Sequence, residues 1–232
     1  MASINLKHTS GNGTILNSPA ANPSSDITLK LPSTTGSAGQ VLKVASANHS
    51  STNAELEFGA DTGGKLLQTV TVSDSVRETS GSISLISAST YYSTPFAVTI
   101  TPSATSSKIL LMGHIMGEAT VDDYLIVWCI ERAISGGATT DILAPAAGSR
   151  PRCISVMPTG FYGSDNQSTP SVINFSGLVD SPNTTSATTY TFQVAAPQNT
   201  SVGFYYNRSV TDTDNVNFER GLSWITAQEI GA

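Results

Sequence analysis

Phe96-Ala97-Val98-Thr99-Ile100 and Tyr190-Thr191-Phe192-Gln193-Val194 alternate large apolar side chains with small or polar ones without a break. Period two is the signature of a strand with one face inward, so Phe96, Val98 and Ile100, and Tyr190, Phe192 and Val194, are expected in a core with the Thr and Gln residues outward. Working outward from these two stretches, further strands are expected near Leu66 to Val72, Ile83 to Ile86, Lys108 to Gly117, Tyr124 to Ala133, Arg152 to Met157, Val172 to Val179, Val202 to Asn207 and Leu222 to Ile230. Ser135-Gly136-Gly137, Pro158-Thr159-Gly160 and Ser181-Pro182-Asn183 supply turns between them. No segment carries a helical period. Regularly spaced strands of this kind predict an all-β fold, an antiparallel β-sandwich of jelly-roll type over 66–232.

Before that domain the pattern changes. Ile4 and Leu6, then Ile27, Leu29 and Leu31, then Val41, then Leu56 and Phe58 form short alternating segments separated by Gly, Asn, Ser and Pro. Strands this short bury too little apolar surface to stand alone, so residues 1–60 are expected to need partner chains. Gly59-Ala-Asp-Thr-Gly-Gly64 marks a boundary, with 61–65 as linker. The same run with Lys65 matches a G-x-x-x-x-G-K phosphate loop. Leu66 takes the hydroxyl position, however, and strand rather than helix follows, so a junction is the better reading. Around Tyr124 to Ile130 both strand faces are apolar, which places that strand at the centre of a sandwich or under a neighbouring subunit; the second is preferred.

Composition narrows the function. Of 232 residues only 12% are charged, against about 25% in an average globular protein, and the net charge is −6. The basic residues are scattered apart from Arg150 and Arg152, so no patch fits a phosphate backbone and nucleic acid is not an expected partner. The longest apolar runs, Ile109 to Met112 and Leu125 to Ile130, are too short to span a membrane, and the Met1 end lacks a signal-peptide layout. The expectation is a soluble protein made in the cytoplasm, whose Asn-x-Ser/Thr triplets carry no glycans. Cys129 and Cys153 are expected as buried free thiols, a disulfide being the alternative.

Candidate chemistry is sparse. His114 alternates with Met112 and Met116; it is either a structural histidine or, beside a threefold axis, one of three ligands to an axial ion. Asp122-Asp123 with Glu118 and Glu131 could mimic the carboxylates of a glycosidase, but no repetitive scaffold for a polysaccharide is present, and a solvated turn is preferred. Asp212-Thr213-Asp214-Asn215 resembles the start of a calcium loop without its Gly and Glu, and an Asx-rich turn is the default. Gly-x-Ser-x-Gly is absent and neither cysteine has a nearby histidine, so no enzyme and no cofactor are expected.

Three stretches together resemble a β-domain at the C-terminal end of fibre proteins of marine, cyanophage-like podovirus-type bacteriophages. They are Ser107-Lys-Ile-Leu-Leu-Met-Gly-His-Ile-Met-Gly117, Phe175-Ser-Gly-Leu-Val-Asp-Ser-Pro-Asn-Thr-Thr-Ser-Ala-Thr-Thr-Tyr-Thr-Phe-Gln-Val194, and Tyr206-Asn-Arg-Ser-Val-Thr-Asp-Thr-Asp214 running on to Trp224-Ile-Thr-Ala-Gln-Glu-Ile230. Ser3 to Gly13, Asp26 to Pro32 and Gly39 to Lys43 are similar to an N-terminal module of structural proteins of the same phages. The resemblance implies a homotrimeric virion protein assembled in the host cytoplasm, with a tumour-necrosis-factor-like trimeric head. Residues 1–60 would attach to tail or capsid proteins, and the implied role is a tail fibre or fibre-like appendage that contributes to host attachment. A capsid decoration or tail-fibre adaptor is the alternative, and a polysaccharide-degrading enzyme a third reading. If the head meets a host-cell surface receptor, loops 162–167 and 211–217 are the candidates, with Tyr162, Asp165, Asn166, Asp212, Asp214 and Asn215 as their polar and aromatic groups.

Overall fold

Side-chain alternation along the strands is what divides this chain into faces. The computed structural model describes residues 3–7, 13–17, 28–50, 53–60, 65–85, 90–120, 126–157, 167–198 and 201–231, the side chains of 3–7, 13–17 and 46–49 excepted. It separates into two compact units, Met1–Thr62 and Gly63–Ala232.

In the first unit β1 (Ser3–Lys7) and β2 (Gly13–Asn17) form an antiparallel pair. A second sheet has the order β3 (Thr28–Lys30), β5 (Asn53–Ala60), β4 (Gln40–His49). Its register sets Leu42 opposite Phe58, Val44 opposite Leu56, and Leu29 opposite Ala54. Leu29, Leu42, Val44, Leu56 and Phe58 therefore share one face, and Lys43 and Glu57 pair at 3.7 Å on the other.

The second unit is a sandwich of two antiparallel sheets. One runs β11 (Thr139–Ile142), β10 (Val127–Ile134), β14 (Thr188–Ala195), β8 (Tyr92–Ile100), with the two-residue β12 (Ser155–Val156) also on β10. The other runs β6 (Leu66–Thr71), β16 (Trp224–Ile230), β9 (Lys108–Ala119), β15 (Val202–Tyr206), β7 (Gly81–Leu85), with β13 (Ser171–Asp180) along the far side of β9. The chain changes sheet from β8 to β9, from β9 to β10 and from β13 to β14, the jelly-roll habit of wrapping one core with alternate strands. A single helical turn, α1 (Asp74–Glu78), follows β6.

The period-two expectation holds on the inner faces. Phe96, Val98, Ile100, Tyr190, Phe192 and Val194 are all buried, against Ile109, Leu111, Ile115, Phe204 and Ile225 of the opposite sheet. Trp128, Phe175 and Phe192 stack across the gap with ring centroids 5.1 to 6.3 Å apart. Gly117 makes room for this packing, since a Cβ there would lie 2.5 Å from the Phe204 ring and 2.7 Å from the Tyr205 carbonyl.

One expectation fails on the outer face of the β10 sheet. The strand apolar on both sides does not need a neighbouring subunit, because Val127 and Cys129 are buried within one chain; Gln193 faces outward beside Cys129 as expected, yet is buried there too. Tyr91 and the segment from Leu143 to Arg152 lie over Val127 and Ala195, stitched by Tyr91 donating to the Arg152 carbonyl and Arg152 donating to the Ala144 carbonyl. That cover also explains why only Ser155–Val156 of the expected 152–157 strand pairs. Both cysteines are free, Cys129 buried but Cys153 only partly so. Burial, followed by the nearby acids Asp141 and Glu131, pushes the Cys129 thiol up, and burial raises Cys153, so neither is a ready thiolate.

Candidate functional site

One end of the sandwich gathers the connections that precede β13 and β16, and Glu118 holds them. Its side chain is 1% exposed near the end of β9. Oε1 accepts from the Thr169 amide at 2.8 Å and its hydroxyl at 3.2 Å; Oε2 accepts from the Val210 amide at 2.7 Å. The carboxylate read in the sequence as part of a weak glycosidase pattern thus braces the roots of both candidate receptor loops. Beyond it Thr211 donates its amide to the Gln167 carbonyl and pairs its hydroxyl with Gln167 Oε1, each at 3.1 Å. The structure brings the ends of the two sequence-predicted loops together.

Within the second loop the acidic residues have different occupations. Asp212 accepts from Arg220 at 2.6 Å and lies 3.6 Å from Arg208, whose guanidinium stacks 4.5 Å over the Tyr205 ring. Asp212 is thereby spent on two arginines rather than held ready for calcium. Asn215 accepts the Asn217 amide at 3.0 Å, which is the Asx turn expected. Asp214 is exposed, and Val216 at the tip is 99% exposed, a feature with no sequence signal beyond its setting among Asx residues. Tyr162, Asp165 and Asn166 lie outside the described residues, as do Asp122 and Asp123. Behind the loops Asn207, at φ 59°, donates to the carbonyls of Arg77 and Thr79 and accepts from Ser223, which in turn accepts the Met116 amide.

His114 occupies the outer face of the larger sheet, half-buried, with Nδ1 2.8 Å from Asn174 Oδ1 and its ring stacked on Trp224 at 6.1 Å. One ring nitrogen of His114 thus has a partner within the chain. Among the described residues no group of three His, Cys, Asp or Glu side chains is placed to hold a metal. No described helix is long and apolar enough to cross a membrane. Gly59 and Ala60 belong to β5 and Leu66 opens β6, so no helix follows the G-x-x-x-x-G-K run.

The candidate attachment residues divide. Leu29, Leu56 and Phe58 share the apolar face of the three-stranded sheet; Leu31 lies just past β3 and is 77% exposed. Val41 lies by its register with Lys43 on the opposite face, and Leu42 and Val44, which were not among the candidates, lie on the apolar one. The four-residue run Val41-Leu42-Lys43-Val44 is apolar in both parities, so only pairing could decide. Ile4 and Leu6 belong to β1 and pair with Leu16 and Thr14; Ile27 lies outside the described residues.

No family model matches this sequence, and no curated protein matches it. Solved structures of infectious bursal disease virus, strains Gt and Gx, are similar over 75% of this chain at 10% and 9% identity, with TM-scores of 0.38 and 0.27. This chain spans 43% and 41% of the lengths of those chains. A likeness of that size carries no argument about fold or function.

Proposed function

We propose that this chain is a structural protein of a bacteriophage virion: a homotrimeric tail fibre or fibre-like appendage that attaches through residues 1–60 and presents the β-sandwich to a host-cell surface. The observation that carries the reading is the apolar face of the β3–β5–β4 sheet, where the turn at Gly36 lies against Phe58 and yet Leu29, Leu42, Val44 and Phe58 remain 60%, 51%, 49% and 37% exposed. A contiguous apolar face on a three-stranded sheet is an interface waiting for protein, and a closed ring of identical chains covers it without leaving open edges. The outer face of the larger sheet adds Leu110, Met112 and Trp224, half-buried around His114.

The layout of the sandwich supports the direction of attachment. Leu66, where the chain begins β6, pairs with Ile230 at one end of β16, whereas the Glu118-braced loops gather beyond Trp224 at the other end. Seven residues of strand separate the two ends by about 20 Å. The sequence resemblance supports the same role, with the head as the part that faces away from the particle.

Static light scattering of the full chain is expected to give three times 24.1 kDa; a monomer at every concentration overturns the trimeric fibre. Averaged images of the intact particle place the density. Density on the tail agrees with a fibre, whereas density over the capsid faces or between the tail and a longer fibre favours a decoration or adaptor. Release of reducing ends from host polysaccharide by the pure protein would instead establish an enzyme.

A further inference from the structure

On the outer side of the smaller sheet, an open cleft of about 420 Å³ lies between the segment that follows β11 and the residues Val127, Ala195 and Pro197. Small-molecule sites run from about 300 to 1,000 Å³. The segment is tied in place: the Ala144 amide donates to the Cys153 carbonyl at 3.2 Å, and the Arg150 amide to the Ala147 carbonyl at 3.3 Å around Gly148 at φ 63°. The Tyr91 hydroxyl holds the Arg152 carbonyl at 2.6 Å. Arg150 and Arg152, the one close pair of basic residues in a chain of net charge −6, thereby both reach the cleft lining with Ser149 and Asp141. Arg152 donates its Nε–H to the Ala144 carbonyl at 2.7 Å. Its two Nη groups, the whole Arg150 guanidinium and the Asp141 carboxylate have no hydrogen-bond or ion-pair partner among the described residues. Guanidiniums only donate and a carboxylate only accepts, so a ligand that satisfies all three brings an anion to the arginines and hydroxyl donors to Asp141. Two guanidiniums against one carboxylate favour a single negative charge. Glu131, opposite Asp141 in register and bonded by Gln193 at 3.0 Å, adds repulsion for a second.

We propose that this cleft binds a hexuronic acid residue of an acidic saccharide, with its carboxylate on Arg150 and Arg152, ring hydroxyls donating to Asp141, and its C–H face against Val127, Ala195 and Pro197. A phosphate dianion would meet Asp141 and Glu131 with both its charges, and an apolar carboxylic acid would bring Asp141 no donor. The cleft lies on the opposite side of the sandwich from His114 and Trp224. The binding chemistry stands apart from the virion reading; its use in host adsorption rests on that reading.

The test is a saturation-transfer NMR titration of the full chain. The probes are the methyl glycosides of glucuronic and galacturonic acid, with methyl glucoside and methyl galactoside as their neutral counterparts. At least one uronide is expected to bind saturably in the millimolar range, about tenfold more tightly than its neutral counterpart. Arg150→Gln, at a guanidinium with no partner in the fold, is expected to weaken the uronide about tenfold with the melting temperature unchanged. Ser149→Glu, which sets a carboxylate on the same exposed turn, is expected to abolish binding and serves if Arg150→Gln destabilises the fold. No binding of either uronide, equal affinity for the neutral glycosides, or an affinity that survives both variants overturns the proposal. So does displacement of the uronide by an equal concentration of acetate, inorganic phosphate or free alanine, which would show a site that reads charge alone. A failed titration with a trimer of full mass removes the cleft alone, and a saturable titration with a monomeric chain removes the fibre alone.

Discussion

Glu229 shows how one buried carboxylate organises a connection. It is 0% exposed on β16, where it accepts from the Ser103 amide and hydroxyl at 2.7 and 2.6 Å, the Ser107 hydroxyl at 2.7 Å and Gln68 Nε2 at 2.6 Å. Burial by itself would raise its pKa, but these donors together outweigh burial and hold it at about 2. A carboxyl whose folded value is depressed contributes stability that is complete above its ordinary value near 4.5 and is lost as pH falls towards 2. Glu229→Gln is therefore expected to lower stability by about 2–3 kcal/mol at neutral pH, with the difference shrinking towards zero near pH 2. Urea melts of both proteins across that window check it, and a constant difference at all pH values would contradict the assignment. Tyr190 illustrates the opposite case: burial first, then the Asp180 carboxylate, raise its phenol, so it stays a donor to Asp180 at 2.8 Å. None of these partnerships shows in the sequence, because the donors lie 122 to 161 residues from Glu229.

At the scale of strands and sheets, Asp180 of β13 joins Arg132 of β10 at 2.8 and 3.1 Å, a tie between the two layers that is largely withdrawn from water. Asp180→Ala leaves the guanidinium without its partner and is expected to cost about 3 kcal/mol, read as a lower denaturant midpoint with an unchanged slope. In the first unit, Leu42→Glu puts a charge in the middle of the exposed apolar face opposite Phe58. If the chain is the trimer proposed above, this variant is expected to be monomeric while the melting of the sandwich stays unchanged, measured by light scattering and calorimetry. The strands that were most legible in the sequence are those whose apolar residues recur strictly every second position, β8 and β14 above all. Two elements that were not have a physical reason: β11 carries only Ile142 as a large apolar residue, and α1 is too short for a period; β12 was expected over 152–157 and is shorter because its N-terminal flank covers β10. The loop cluster was legible as polar turns but not as a unit, since Glu118 joins its two halves from a strand 51 and 92 residues away.

For the whole molecule, the sandwich closes its larger sheet by setting its first strand beside its last. Leu66 pairs with Ile230, and the Gly231 amide donates to the Lys65 carbonyl at 2.8 Å. The fold of 65–231 is consequently a circuit rather than a line. A short glycine bridge from Gly231 to Lys65, with the backbone opened at the exposed turn around Gly136, is expected to give a circular permutant that keeps every strand pair and melts as one transition, seen by calorimetry. Where synthesis starts and stops on that circuit is then a matter of attachment, not of architecture: the same head can be hung from either neighbour of the β6–β16 seam, or inserted whole into a loop of another protein through two adjacent threads.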